Sequence, residues 1–460
     1  MKKLIILFLS VIFLISGAFC LPANAAFDSA MEKLDLYSDT VYLVSTDNGT
    51  VLFDKNSDRQ TAPASLTKIT TAIVVLENCD DLDAVITVPS YCIEMLKGTG
   101  SSMAGLKADE EISIHNLLRC LLIASANEAA LILADHVGGG DIDKFVTMMN
   151  ETAKRLGCTD THYVNPHGLD DDYQYTTARD VAILAAHAME TYPAFTEIVS
   201  RVTYQIESTN MHPDGLKLHN TNYMLNAAYK DYYCNYVSGI KTGSTDNAGK
   251  CVVASISKNG YSYIGVVMNA PFEDIDNDNY DENCAFVDCK EMFEWAIRNI
   301  ELVKISDPDD IVAEIPVRHS WTTDHVTLSP AEELYELVPS GVDTGSLLIE
   351  PVDGAYPEFI NAPLRKGDVV CRANVLYAGD IVAEIDLVAN ESIGRSIILL
   401  IGSYIKRAAS SVIFKIVAVL AALAVLAYIV LIFFKNKKVK PRGKVGVATY
   451  KDYRNNNKKR

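Results

Sequence analysis

The 460-residue chain has no Cys-x-x-Cys pair and no His-Glu-x-x-His run, so neither a zinc ribbon nor a zincin-type centre is written into it. Repeats and low-complexity tracts are also missing, which leaves ordinary globular domains. Its 25 glycines and 15 prolines are too few for a collagenous or disordered bulk. Basic residues are scarce through the body of the chain. Residues 27–434 hold 28 Lys/Arg against 58 Asp/Glu, a balance of −30, so no nucleic-acid partner is expected. Charge is absent altogether from Ile416–Phe434, a stretch just long enough to cross a bilayer.

Both ends carry targeting features. Lys2 and Lys3 precede the apolar run Leu4–Ile15, and Ala23-Asn24-Ala25 supplies small residues for cleavage, so residues 1–26 read as a secretory signal. After Phe434, six basic residues crowd Lys435–Lys444, against four in Arg395–Lys415. That bias places the tail in the cytoplasm and the acidic body outside. The run Ile397–Ile405 is expected to lie along the membrane surface. Removing the signal leaves nine cysteines at irregular spacing, several in apolar runs, which read as buried free thiols.

Between these ends the periodicity changes once. Strands are expected at Val41–Ser45 and Val51–Phe53 around the turn Asp47-Asn48-Gly49, and at Ile240–Thr242, Cys251–Ser257 and Tyr261–Met268. Helices are expected after Ser65, over Ile114–Ala124, Glu128–Val137, Ile142–Leu156, Thr177–Thr191 and Phe286–Ile300. Ser208–Tyr236 reads as loop and short helix. From Ile311 to Ala389 short alternating runs replace helices, including Val312–Val317, Gly345–Ile349, Val369–Tyr377 and Ile381–Leu387 around Ala378-Gly379-Asp380. A sheet of N- and C-terminal strands covered by helices, then a small all-β domain, fits this order.

The chemistry rests on order and setting. Ser-x-x-Lys occurs four times, at Ser65/Lys68, Ser238/Lys241, Ser255/Lys258 and Ser403/Lys406. Ser65 and Lys68 open a helix behind Pro63, where i and i+3 share a face and a desolvated amine can deprotonate a hydroxyl. Ser125-Ala126-Asn127 breaks two helices, and Lys241-Thr242-Gly243 starts a strand, so all three sets can project into one cleft. Taken alone, Ser65/Lys68 reads as a helix start with a solvated lysine. His162 and His167 lack the acidic partners of a metal pair and read as loop packing.

In these motifs the chain resembles the serine penicillin-recognising enzymes, specifically the low-molecular-mass D-Ala-D-Ala carboxypeptidases. Asn165-Pro166-His167-Gly168-Leu169 and Thr176-Thr177-Ala178-Arg179-Asp180 add to the likeness, which runs from about Leu36 to Ile300. Ala362–Asp368 and Val382–Val388 look like the family's membrane-proximal module. The resemblance implies an α/β (α+β), β-lactamase/transpeptidase-like catalytic domain over 27–305, a β-rich domain over 306–392, a juxtamembrane segment 393–415, a transmembrane helix 416–434 and a basic tail 435–460. It also implies Ser65 as nucleophile, Lys68 as its base and Ser125 as proton relay to the leaving D-alanine. Asn127, Lys241, Thr242, Gly243 and Ser244 would hold substrate, with the Ser65 and Ser244 N–H groups as oxyanion hole. No metal or cofactor is implied. The partners implied are peptidoglycan stem peptides ending in D-Ala-D-Ala, β-lactams as covalent inhibitors, and the membrane.

Two positions depart from the family pattern. Ser244 stands where a bulky residue is frequent, and Thr221 of Asn220-Thr221-Asn222 stands where some members carry a substrate-binding arginine. Both bear on peptide preference. Two other readings share the scaffold. A β-lactamase would need a carboxylate-activated water, and the stretch between Asn127 and Lys241 holds no matching Glu-x-x-x-Asn segment. A non-catalytic wall-binding protein would not need Ser65, Lys68, Ser125, Asn127 and Lys241 intact.

Overall fold

The computed structural model describes residues 34–258, 260–340, 347–352, 354, 356–377 and 380–437. The expected signal, the Ala378-Gly379 turn and the tail beyond residue 437 lie outside the described residues. A five-stranded sheet forms the frame. Its strands are β1 (Thr40–Ser45), β2 (Val51–Lys55), β3 (Lys241–Thr245), β4 (Gly249–Lys258) and β5 (Tyr261–Ala270), in the order β2-β1-β5-β4-β3. Every pairing is antiparallel. The first two strands and the last three therefore meet at the centre, as the sequence order suggested. Gly49 takes a φ of +75°, the left-handed geometry its Asn-Gly turn requires.

Alternation along the strands divides two cores. Tyr42, Val253, Ile264, Val266 and Met268 face one apolar cluster, while Val41, Leu43, Val252, Ala254 and Val267 face the other. Helices α1 (Thr67–Asn78), α2 (Ile114–Leu122), α3 (Asn127–Gly138), α4 (Ile142–Arg155) and α5 (Ala178–Thr191) supply the first cluster. Helix α6 (Cys284–Asn299) covers the other face. Gly265 makes that cover possible, because a Cβ there would lie 2.7 Å from Met292 Cε and 2.9 Å from Phe293 Cε1.

Helix α1 is the buried centre, with every residue from Thr67 to Val75 out of solvent. Its hydroxyls consequently need partners inside the protein. Thr70 Oγ1 meets Tyr163 OH at 2.8 Å, and Thr71 Oγ1 donates to the Pro166 carbonyl at 2.6 Å. These bonds tie the loop 163–167 to α1. Capping sets the neighbouring helices: Asp141 accepts from Lys144 N at 3.0 Å, and Thr177 from Asp180 N at 3.1 Å. Arg179 pairs with Asp54 and Asp58, so the Thr176–Asp180 segment acts as an anchored helix start. All nine described cysteines are free, and only Cys79 is partly exposed.

One stretch differs from expectation. Within the expected loop Ser208–Tyr236, Leu216–His219 is a strand paired with Thr203–Ile206. Its Leu216-Lys217-Leu218-His219 alternation is too short to stand out from the surrounding polar sequence.

Contacts divide the chain into two compact units. One runs to Asp307 and includes Glu332–Pro351 and Ala373–Ile385. Here Ile300–Ser306 pairs with Leu334–Pro339. The other comprises Pro308–Ala331, Val352–Arg372 and the chain from Asp386. In it, Ala313–Arg318 pairs antiparallel with His325–Pro330, and its last residues pair in parallel with Ile360-Asn361. Two helices follow, α7 (Ile397–Ser410) and α8 (Val412–Lys437). Residues Val412–Lys435 have a peak mean hydropathy of 3.1, long and apolar enough to cross a membrane.

A Gly265→Val substitution should force α6 off the sheet and cost roughly 1–3 kcal/mol. Thermal unfolding of the full chain in detergent should show a midpoint lowered by several degrees; an unchanged midpoint would mean that α6 is not seated there.

Candidate active site

Pro63 leads into a short 3-10 turn, Ala64–Leu66, which places Ser65 ahead of α1. One turn on, Lys68 is fully buried while Ser65 stays partly open. Three oxygens surround the Lys68 amine: Ser65 Oγ at 2.9 Å, Asn127 Oδ1 at 2.6 Å and the His167 carbonyl at 2.6 Å. Burial and the neighbouring Lys241 push this ammonium well below the ordinary lysine value, with Glu128 opposing them.

The neutral amine fits this cage. It has two N–H groups and one lone pair, and a carbonyl and an amide oxygen can only accept. Once Asn127 Oδ1 and the His167 carbonyl take the two hydrogens, the lone pair is left for the Ser65 hydroxyl. The arrangement can therefore deprotonate Ser65 without any carboxylate.

Ser125 sits in the break between α2 and α3 with a φ of +59°, which turns its side chain toward Lys241. Lys241 Nζ bonds Ser125 Oγ at 2.9 Å and the Thr242 carbonyl at 2.9 Å. Lys241 is fully buried, and burial lowers it to about 7. The three separated motifs thus join in two groups, Lys68 with Ser65 and Asn127, and Lys241 with Ser125.

Gly243 explains the fit between β3 and the turn. A Cβ there would lie 3.0 Å from Ala64 Cβ and 3.3 Å from Ser65 N. Ser244 follows on the same strand and is exposed, its Oγ accepting from Lys250 Nζ at 3.1 Å. Thr221 Oγ1 lies 2.6 Å from Thr242 Oγ1, so the residue that departs from the family pattern touches the strand at the site. Asn222 holds the same loop by donating to the Gly239 carbonyl at 2.8 Å.

Three participants escaped the sequence reading. The His167 carbonyl cages Lys68, where the sequence draws attention only to the imidazole. That ring is neutral, lowered to about 3 by burial and by Lys68. Gly168 packs on the Ala64–Leu66 turn with a φ of +91°, and a Cβ there would lie 1.9 Å from the Ala64 carbonyl oxygen. Asp170 accepts from Thr245 Oγ1 at 2.6 Å and so ties this loop to β3. A fourth group supports the floor: buried Glu128 accepts from the N–H groups of Ala104 and Gly105 at 2.7 and 2.9 Å. The Asn165–Asp170 run was the available signal; backbone carbonyls leave none of their own.

Comparison with known proteins came to one answer. A family model described as D-alanyl-D-alanine carboxypeptidase matches residues 27–272. The chain is 28% identical to the D-alanyl-D-alanine carboxypeptidase DacF of Bacillus subtilis (strain 168), over 77% of this chain and 85% of that protein. It is also 28% identical to DacC of Escherichia coli (strain K12), over 81% and 88%. Among solved structures it is similar to penicillin binding protein 5 from Haemophilus influenzae, with a TM-score of 0.61 and 26% identity over 79% of this chain and 99% of that one. The fold is that of these enzymes.

Replacing Gly168 by Ala should displace the loop whose carbonyl cages Lys68. The expected cost is roughly 2–4 kcal/mol of stability, with acylation of Ser65 lost more steeply than fold. Thermal unfolding and labelling by a fluorescent penicillin, measured on one preparation, check this; normal labelling would show that the close approach is not required.

Proposed function

The chain belongs to the D-alanyl-D-alanine carboxypeptidase family, and from that premise we propose that it removes the terminal D-alanine of peptidoglycan stem pentapeptides through an acyl-enzyme on Ser65. The observation that carries the reading is the desolvated Lys68 amine 2.9 Å from Ser65 Oγ, with its other contacts made to acceptors.

In the first step neutral Lys68 takes the Ser65 proton, and Oγ attacks the carbonyl carbon of the penultimate D-alanine. The N–H groups of Ser65 and Ser244 would hold the resulting oxyanion. Losing one such donor typically costs about 3 kcal/mol of transition-state stabilisation. Collapse breaks the C–N bond; Ser125, which Lys241 holds at 2.9 Å, gives its proton to the leaving D-alanine nitrogen and takes back the one on Lys68, leaving Lys68 neutral again. Water then attacks the acyl ester, giving up a proton to Lys68 and restoring Ser65. Lys241 and Thr242 would receive the substrate's terminal carboxylate, and Asn127 its amide. A β-lactam would acylate Ser65 by the same attack.

The domain reading is ours as well: a catalytic domain over 27–305, a β-rich domain over 306–392 and an anchor in α8. The apolar α8, with more cationic residues after it than before it, supports a single crossing with the catalytic domain outside. The sequence of residues 1–26 supports export.

Ser65→Ala should abolish labelling by fluorescent penicillin and lower D-alanine release from a D-Ala-D-Ala peptide by roughly 10⁴-fold or more. Equal labelling of both proteins would reject Ser65 as nucleophile, and a rapidly lost penicillin adduct would favour the β-lactamase reading.

The two lysines also set a pH profile. Lys68 must be neutral, so kcat/KM rises as pH passes its lowered pKa. Lys241 must be charged, so kcat/KM falls above about 7, by about tenfold per unit at most. A kcat/KM that stays flat from about 7 to the ordinary lysine value of 10.5 would exclude a working charge on Lys241.

A further inference from the structure

The second compact unit contains a cavity that peptide hydrolysis does not use. It has a volume of about 530 Å³, and Arg318, His319, Ser403, Lys406, Arg407 and Ser410 line it. Its walls are fixed from both sides. Arg318 ends the strand Ala313–Arg318, and its carbonyl accepts from Ala362 N at 2.9 Å. The next carbonyl, of His319, accepts from Ser396 N at 2.7 Å, just before α7. His319 Nε2 meets Ser403 Oγ at 3.0 Å, and Arg395 Nε donates to the Ala362 carbonyl at 2.7 Å. Helix α7 is thereby fastened across the end of the strand.

The polar groups facing this space are short of anions. Among the described residues, no ion pair engages Arg318, Lys406 or Arg407. Arg318 is oriented instead by the Phe359 ring, 3.3 Å from its guanidinium carbon. His319 Nδ1 is buried with no hydrogen-bond partner. Three cations gathered without a carboxylate are unusual in a body whose balance is −30. Guanidinium forks and hydroxyls converging on one space match the oxygens of a phosphate ester.

The two faces of α7 identify the source of that phosphate. Ser403, Arg407 and Ser410 recur at i, i+4 and i+7 toward the cavity. Ile398, Ile401 and Ile405 recur at i, i+3 and i+7 on the opposite face and are 74%, 51% and 64% exposed. Helix α8 begins two residues after α7 ends. With α8 in a bilayer, α7 lies at its surface, the isoleucines toward the acyl chains and the cations at headgroup height. We propose that this cavity binds the phosphate headgroup of an anionic membrane lipid, a role separate from the peptidase reading but resting on α8 as the membrane anchor. The cavity also gives a reason for Lys406 and Arg407 to stand on the side where positive-inside bias disfavours them.

The test uses the full chain purified in detergent and offered equal phosphatidylglycerol and phosphatidylcholine, with retained lipid read by native mass spectrometry. One phosphatidylglycerol per chain should be kept, about tenfold over phosphatidylcholine. The Arg318→Gln/Arg407→Gln double variant should lose that preference while fluorescent penicillin still labels it, showing that it folds. The Arg318→Lys/Arg407→Lys variant should keep part of it. Equal retention of both lipids, or an undiminished preference in the glutamine variant, would overturn the proposal. A parallel thermal-shift series with inorganic phosphate separates the sources: stabilisation by phosphate without any lipid preference would overturn the lipid assignment.

Discussion

The site depends on keeping two lysines dry. Lys68 and Lys241 are both fully buried, neither forms an ion pair among the described residues, and each is pushed below its ordinary value. An isolated ammonium in such a place is expensive, so the protein either surrenders the proton or surrounds the amine with oxygens. It does both. Lys68 lies 2.9 Å from Ser65 Oγ and is repelled by its neighbour Lys241. Lys241 touches Ser125 Oγ and the Thr242 carbonyl, and burial lowers it to about 7. Two identical side chains thus sit in different surroundings.

Much of the remaining structure keeps these surroundings closed. Helix α1 is buried on all sides, which fixes Lys68 and obliges Thr70 and Thr71 to capture the loop 163–167. That loop returns the His167 carbonyl to Lys68, packs Gly168 on the Ala64–Leu66 turn and extends Asp170 to β3. Gly243 lets β3 approach from the other side. Satisfying buried hydroxyls and building the base are therefore one set of bonds.

In the two C-terminal helices, by contrast, cations stay near solvent and apolar residues stay exposed. Helix α7 has no buried residue, and α8 is apolar throughout its central turns. Such surfaces make sense against lipid, where burial is completed by the bilayer rather than by the protein.

The main elements were legible because their signals are local. Alternation over Val41–Ser45 and Tyr261–Met268, and the helical periodicity of Ile142–Leu156 and Thr177–Thr191, depend on near neighbours. The short hairpin Thr203–Ile206 with Leu216–His219 was not legible, since four residues of alternation weigh little against a polar background. Motif order likewise brought forward Ser65, Lys68, Ser125, Asn127 and Lys241 before any contact was known. Sequence by itself determined which side chains could carry the chemistry, because side-chain identity and helix or strand position are written locally. Tertiary structure alone decided which lysine sits against Ser65 Oγ in a cage of oxygens, that a backbone carbonyl completes the cage, and that Arg318 and Arg407 share one cavity. Desolvation and distances across 59, 99 or 116 residues of chain exist only once the chain has closed on itself.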